Sequence, residues 1–246
     1  MKLTNEVYLV GGGDNGFNIS NSFDCNVFLI RGDEELVLID AGFSGPDAIL
    51  KNIREDGLDP KNISRIFVTH YHADHTGALA YLQRKIGASV VAGKEAAPAI
   101  RTGDADQIGL TWAQDIGFYP LDFHWEACEV EQEMVDGDEF EVGSLELKAI
   151  ATPGHCMGHY SFLLRGRKIT YLFSGDQVFW GGAILLQNVP DASIQDCANS
   201  MDKLLTYDFD ALLPSHLNFS LSNGKRHVEK AARAFLKTGL PKNLFS

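Results

Sequence analysis

Apolar residues gather in short continuous runs in some stretches of the chain and recur every three to four positions in others, and each change of pattern predicts an element. Residues 6–10 read as a short strand ending in Gly11-Gly12-Gly13. Residues 25–31 and 35–40 are apolar runs flanking Gly32-Asp33, a strand, turn and strand signal. Residues 47–56 place apolar side chains at helical spacing and stop at Gly57. A buried strand at 65–69, a helix at 76–86 closed by glycine, a strand at 89–92 and the start of a helix at 94–100 follow. Further on, strands are expected at 144–150, Tyr160–Arg165 and 168–173, with Gly166 turning the last two. A helix at 193–206, a short strand at Ala211–Pro214 and an amphipathic helix at 224–237 complete the series.

Residues 101–133 break this rhythm. They hold no strong period, and Trp112, Phe118, Tyr119, Phe123 and Trp125 are scattered through them. A long irregular insert in a compact domain reads as a lid or binding loop, with a satellite core of ordinary packing as the other reading. An insert covering an active site is the expectation.

The 246 residues are 45% hydrophobic and 22% charged, an ordinary globular make-up. No repeat, low-complexity segment or linker interrupts them, so a single domain over 1–246 is expected. The net charge of −12 repels phosphate backbones and argues against nucleic acid as a partner. Cys25, Cys128, Cys156 and Cys197 form no C-x-x-C pair, which points to reduced thiols, with Cys156 a packing residue beside His155. The first residues lack the pattern of a signal peptide, and no apolar stretch is long enough to span a bilayer, so a cytoplasmic setting without membrane contact is expected.

Chemistry concentrates in Thr69-His70-Tyr71-His72-Ala73-Asp74-His75-Thr76-Gly77, between a strand and a helix. Residues two apart in an extended segment point the same way, so His70 and His72 can face one ion. Asp74 and His75 fall at the turn into the helix and can reach toward a second. Imidazole and carboxylate suit zinc, iron, manganese or cobalt better than calcium. Three later strand-like runs also end in ligand-type residues: His155 after Thr152-Pro153-Gly154, Asp176 after Ser174-Gly175, and His216 after Leu213-Pro214-Ser215. Four such strand ends point to a common site.

This set resembles the metallo-β-lactamase-fold superfamily, whose H-x-H-x-D-H motif stands here at residues 70–75. The resemblance runs from Leu38-Ile39-Asp40-Ala41-Gly42 to the final helix. It implies an α/β chain folded as a four-layer αββα sandwich. It also implies two divalent metal ions, zinc first, with manganese or iron as alternatives. His70, His72 and His155 would bind one ion; Asp74, His75 and His216 would bind the other; Asp176 would bridge them. Asp40 matches a family aspartate that braces a ligand histidine.

What the resemblance implies for activity is a metal-dependent hydrolase, with a metal-bound hydroxide attacking a carbonyl ester and Asp74 handling the proton. The bridging Asp176 argues against a true β-lactamase. TPGHCMGH at 152–159 and GDQVFWGG at 175–182 look like glyoxalase II, a thioesterase, although Ala183 and Ile184 stand where that enzyme carries an arginine. Acyl-homoserine-lactone lactonases are similar too, with Phe179 in place of their tyrosine. A thioester, lactone or related ester with an apolar portion is the expected small-molecule partner, met by Phe179, Trp180 and the insert aromatics; a homodimer is compatible. His159 reads as a donor to substrate or a brace for His155. Lys225 and Arg226 read as a solvated helix end or a substrate anchor. The rival is a persulfide dioxygenase with one iron, whose H-x-H-A-D-H motif also matches residues 70–75; those enzymes replace the second histidine of the GH-x-x-GH segment with cysteine, whereas His159 is kept here.

Overall fold

A computed structural model describes residues 1–189 and 191–244. The backbone divides into two compact units, the first over 1–134 with 142–144 and the second over 135–141 with 145–246.

The first unit carries a six-stranded sheet in the order β1 to β6. Strand β1 (Val7–Gly11), β2 (Val27–Gly32) and β3 (Glu35–Ile39) run antiparallel in turn. The β2–β3 hairpin turns at Asp33, whose φ of +58° is a conformation Asp tolerates better than most residues. Helix α1 (Asp47–Glu55) then returns the chain so that β4 (Ile63–Phe67) lies parallel to β3. Short helix α2 (Ala73–Thr76) and helix α3 (Leu79–Ile86) lead to β5 (Ser89–Gly93), parallel to β4. Helices α4 (Ala97–Thr102) and α5 (Leu110–Asp115) precede β6 (Gln132–Met134), parallel to β5. Strands β1 to β5 are buried almost throughout, which is why they read as apolar runs rather than alternating patterns.

The second unit carries a five-stranded sheet in the order β11-β10-β9-β8-β7. It comprises β7 (Glu139–Val142), β8 (Leu145–Ala151), β9 (Tyr160–Arg165), β10 (Thr170–Gly175) and, after helix α6 (Ile194–Leu205), β11 (Ala211–Pro214). Helix α7 (Lys225–Thr238) follows. Strand β9 runs antiparallel to both β8 and β10, and β11 is parallel to β10. The carboxyl ends of β8, β10 and β11 therefore share one edge of this sheet. Ile150, Leu163, Leu172 and Leu212 of the sheet pack with Met201, Leu204, Val228 and Ala231 of α6 and α7.

The helix expected over 76–86 is split. Gly77 turns the chain between α2 and α3, and the motif itself supplies the first helical turn. The irregular insert contains α5 and most of β6, and β7 lies in a stretch for which no element was expected. These are short, and β7 alternates buried and exposed over only four residues, too few for a period to show. None of the four cysteines forms a disulfide, all are buried, and burial pushes the Cys128 and Cys197 thiols up to about 12. Among the described residues no helix is long and apolar enough to cross a membrane.

Gly77 is required by close approach rather than by its backbone angle. A Cβ there would lie 2.0 Å from the Phe43 carbonyl oxygen. Replacing Gly77 with Ala should destabilise the protein by ~1–3 kcal/mol, a typical overpacking cost. Thermal unfolding by circular dichroism reads this directly, and an unchanged midpoint would mean that the segment yields without strain.

Candidate metal centre

In the first unit the carboxyl ends of the parallel neighbours β3 and β4 bring two segments side by side. Asp40 leaves β3 with φ of +63°, and its N–H still donates to the Phe67 carbonyl in β4. That turn buries its carboxylate at 1% exposure beneath the motif. Oδ1 accepts the Thr69 N–H at 2.8 Å, and Oδ2 takes the Thr69 hydroxyl at 2.9 Å and faces His75 Nδ1 at 2.8 Å. The partner is a carboxylate, so His75 Nδ1 carries the proton and Nε2 keeps the lone pair. His75 Nε2 stands 3.6 Å from Asp74 Oδ2.

The same logic fixes His70. Thr69 Oγ1 gives its proton to Asp40 and accepts from His70 Nδ1 at 3.0 Å, which leaves Nε2 as the basic nitrogen. That nitrogen lies 3.0 Å from His72 Nδ1. Both rings are buried, and their facing nitrogens are close enough to serve one cation. Cys25, Asp40 and His75 also bring a sulfur, an oxygen and a nitrogen within 4.8 Å of one another. Burial drives the Cys25 thiol pKa upward, so the sulfur stays protonated.

The insert packs on this segment. Tyr119 OH donates to Asp74 Oδ1 at 2.7 Å, and Trp125 Nε1–H donates to Thr76 Oγ1 at 2.9 Å. Gly109 places its Cα beside the His72 ring, where an added Cβ would stand 3.6 Å from Cδ2. Tyr119 stacks on Phe43 at 4.8 Å and Phe123 stacks on the same ring at 3.8 Å. Tyr119 was visible in the sequence only as one aromatic among several; its partner stands 45 residues away.

In the second unit, His155 follows β8, Asp176 follows β10 and His216 follows β11, all at the edge defined above. His155 Nδ1 donates to the Leu185 carbonyl at 2.9 Å, which turns Nε2 toward Asp176 Oδ2 at 3.6 Å. His216 Nε2 reaches the same oxygen at 3.4 Å. These separations are longer than good hydrogen bonds. They suit donors that share an ion rather than a proton.

His159 sits at the start of β9 and is fully buried. Its Nε2 accepts the Asp176 N–H at 3.0 Å, so its proton is on Nδ1, donated to Thr152 Oγ1 at 2.9 Å. The ring thus bridges Thr152 and the Asp176 backbone, and its centroid is 6.2 Å from that of His155. Phe179 is fully buried with Ala183 and Leu185, whereas Trp180 is half exposed. Lys225 pairs with Asp208 at 2.7 Å at the surface, an arrangement worth little.

The donor set passes a chemical test for divalent metal. Here each of His70, His75 and His155 has Nδ1 engaged by a hydrogen-bond acceptor, which fixes the ring and presents Nε2 as the donor nitrogen. The accompanying carboxylates supply oxygen donors and negative charge.

Strand-end histidines and carboxylates braced in this way define a metal-binding α/β protein. Residues 21–216 match the metallo-beta-lactamase superfamily, and the chain belongs to it. Among curated relatives, the acyl-coenzyme A thioesterase MBLAC2 of Bos taurus is 28% identical over 214 residues, covering 78% of this chain and 73% of that protein. The Gallus gallus protein of the same name is 26% identical over 233 residues, covering 87% of this chain and 79% of its own. Among solved structures, BJP-1, a subclass B3 metallo-beta-lactamase of Bradyrhizobium japonicum, superposes with a TM-score of 0.72 at 23% identity, covering 95% of this chain and 89% of that one. At such identity the likeness is one of fold, and the metallo-β-lactamase fold that the motif implied is the fold of this chain.

Asp40 touches the motif through three hydrogen bonds, and its carboxylate sets the His75 tautomer. Asp40→Asn should weaken zinc binding by about 10–100-fold, as losses of such outer partners do. Competition with a chromogenic chelator measures it, and an affinity within about twofold of the parent would show that the brace is dispensable.

Proposed function

We propose that this protein is a metal-dependent hydrolase of acyl thioesters, with an acyl-coenzyme A type of substrate. The observation that carries the reading is the pair of braced donor sets: one on the H-x-H-x-D-H segment, one on the strand ends of the second sheet. The thioesterase relatives favour a thioester over a lactone or other ester. Following the superfamily resemblance, His70, His72 and His155 would hold one ion, Asp74, His75 and His216 a second, and Asp176 both.

Two divalent ions held there would supply a water acidified toward neutrality and a Lewis acid for the carbonyl. Asp74 is the residue suited to move the proton. Tyr119 OH donates to Oδ1 and orients the carboxylate, which would accept a proton from the attacking water and return it to sulfur. A C–O bond forms at the carbonyl carbon, the C–S bond breaks, and the thiolate leaves as a thiol with that proton. His75, oriented by Asp40, and His155, oriented by the Leu185 carbonyl, present Nε2 for metal and would take no part in moving that proton. The insert, packed on residues 72–76 through Gly109, Tyr119 and Trp125, would exclude water from this segment and offer apolar surface to an acyl chain.

The test joins metal analysis to a substrate panel. About two zinc or manganese ions per chain by plasma mass spectrometry, with thiol release from acyl-coenzyme A substrates, would support the reading. One iron per chain, with oxygen consumed on a persulfide and no hydrolysis, would replace it with the dioxygenase alternative. In a fully metallated Asp74→Asn protein, kcat should fall by about 100-fold or more, the contribution of positioned proton transfer. An unchanged kcat would remove Asp74 from that role.

Tyr119→Phe keeps the stack on Phe43 and deletes one hydrogen bond to a carboxylate, worth ~1.5 kcal/mol or more. Its kcat should fall by about tenfold with KM little changed. A loss confined to KM would place Tyr119 in substrate binding instead.

A further inference from the structure

His227 lies on the first turn of α7, 3% exposed, and takes no part in the chemistry above. Its Nδ1 accepts the Gly181 backbone N–H at 2.9 Å. The proton of the neutral ring is therefore on Nε2, which lies 2.8 Å from Ser220 Oγ and donates to it. Burial, and then the positive charges of Arg226 and Lys230, lower the ring's pKa and favour this neutral form.

The imidazole joins two segments that also meet where Ser215 N–H donates to the Gly175 carbonyl and where the Phe179 ring lies 6.3 Å from that of His216. One is the strap from Asp176 to Leu185, which begins with a proposed ligand and ends with the carbonyl that sets the His155 tautomer. The strap turns at Trp180–Gly182, where Gly181 and Gly182 have φ of +81° and +76°. Its backbone lies flush on α7: a Cβ at Gly182 would be 2.8 Å from the His227 carbonyl oxygen and 2.9 Å from the Ala231 nitrogen. The Trp180 ring lies over His227 at 5.7 Å. The other segment follows His216 and ends at Ser220, whose backbone pairs with Leu212 of β11 in both directions, at 2.8 and 2.9 Å. A side-chain nitrogen accepting a backbone N–H within a two-glycine turn is a specific constraint, beyond space filling.

We propose that His227 is a positioning residue, a clasp that ties the turn at Trp180–Gly182 to the loop ending at Ser220 and so holds Asp176, His155 and His216 in one donor set. The consequence for metal rests on the reading of those three residues as ligands; the ordering of the strap does not.

The test compares His227→Leu, which keeps bulk and removes both hydrogen bonds, with His227→Asn, whose amide oxygen stands near the Nδ1 position. Hydrogen–deuterium exchange is followed on the metal-free protein over 177–186, and zinc affinity by chelator competition. The leucine variant should exchange at least about tenfold faster over this stretch and bind zinc about tenfold or more weakly. The asparagine variant should recover most of both. Unchanged exchange and affinity in a folded leucine variant would overturn the clasp, as would an asparagine variant no better than leucine. Should the leucine variant not fold, Ser220→Ala, which removes only the Nε2 partner, must still speed exchange by about threefold or more; parental exchange there also overturns the proposal. If the exchange and affinity changes appear but no thioester is hydrolysed, the proposed activity fails and the clasp stands. The reverse pattern sinks the clasp alone.

Discussion

The buried carboxylate of Asp40 is the constraint on which the first unit's chemistry depends. A carboxylate taken out of water is tolerated only where donors replace its hydration. Here they are the Thr69 N–H, the Thr69 hydroxyl and the His75 ring. All three belong to the segment that carries the motif, so satisfying one charge also fixes the path of 69–75 and the tautomers of two histidines. The positive φ of Asp40 is part of the same arrangement, because only that turn aims the side chain back beneath the neighbouring strand. Parallel pairing of β3 and β4 makes it possible by bringing both strand ends to one edge.

The second unit reaches a comparable result with neutral groups. There the Leu185 carbonyl sets His155, and His159 spends its acceptor on the Asp176 backbone. His155 and Asp176 are thus each held by a group from a different strand or strap. Ser215 N–H donating to the Gly175 carbonyl, and His155 N–H reaching Gln177 Oε1, add further ties among these segments. Ligand geometry is then a property of the sheet edge, and side-chain rotamers alone do not set it. Such preorganisation is what lets a site bind metal without first spending energy on ordering its loops.

Specificity falls to the parts that lack a period. Tyr119, Phe123 and Trp125 reach the motif from the insert, and Trp180 stands exposed on a two-glycine turn held by α7. The superfamily fold supplies the strand edges; loops carried on them decide what is bound.

The sequence by itself determined the strands that bury both faces, the glycine stops and the ligand-type residues at four strand ends. Each depends on neighbours within a few positions, which periodicity and motif can read. The resemblance carried by residues 70–75 added the fold. It did not reveal the break between α2 and α3, nor why position 77 must be glycine, since the group that excludes a Cβ there is the Phe43 carbonyl, far away in the chain. Nor did it reveal β7 and α5, which are too short to show a period. Tyr119 meeting Asp74 across 45 positions and His227 meeting Gly181 across 46 were decided only by tertiary structure. A tyrosine or histidine carries the same local signal whether it packs, braces or binds, and its partner is chosen by how the sheet edges and helices bring distant segments together.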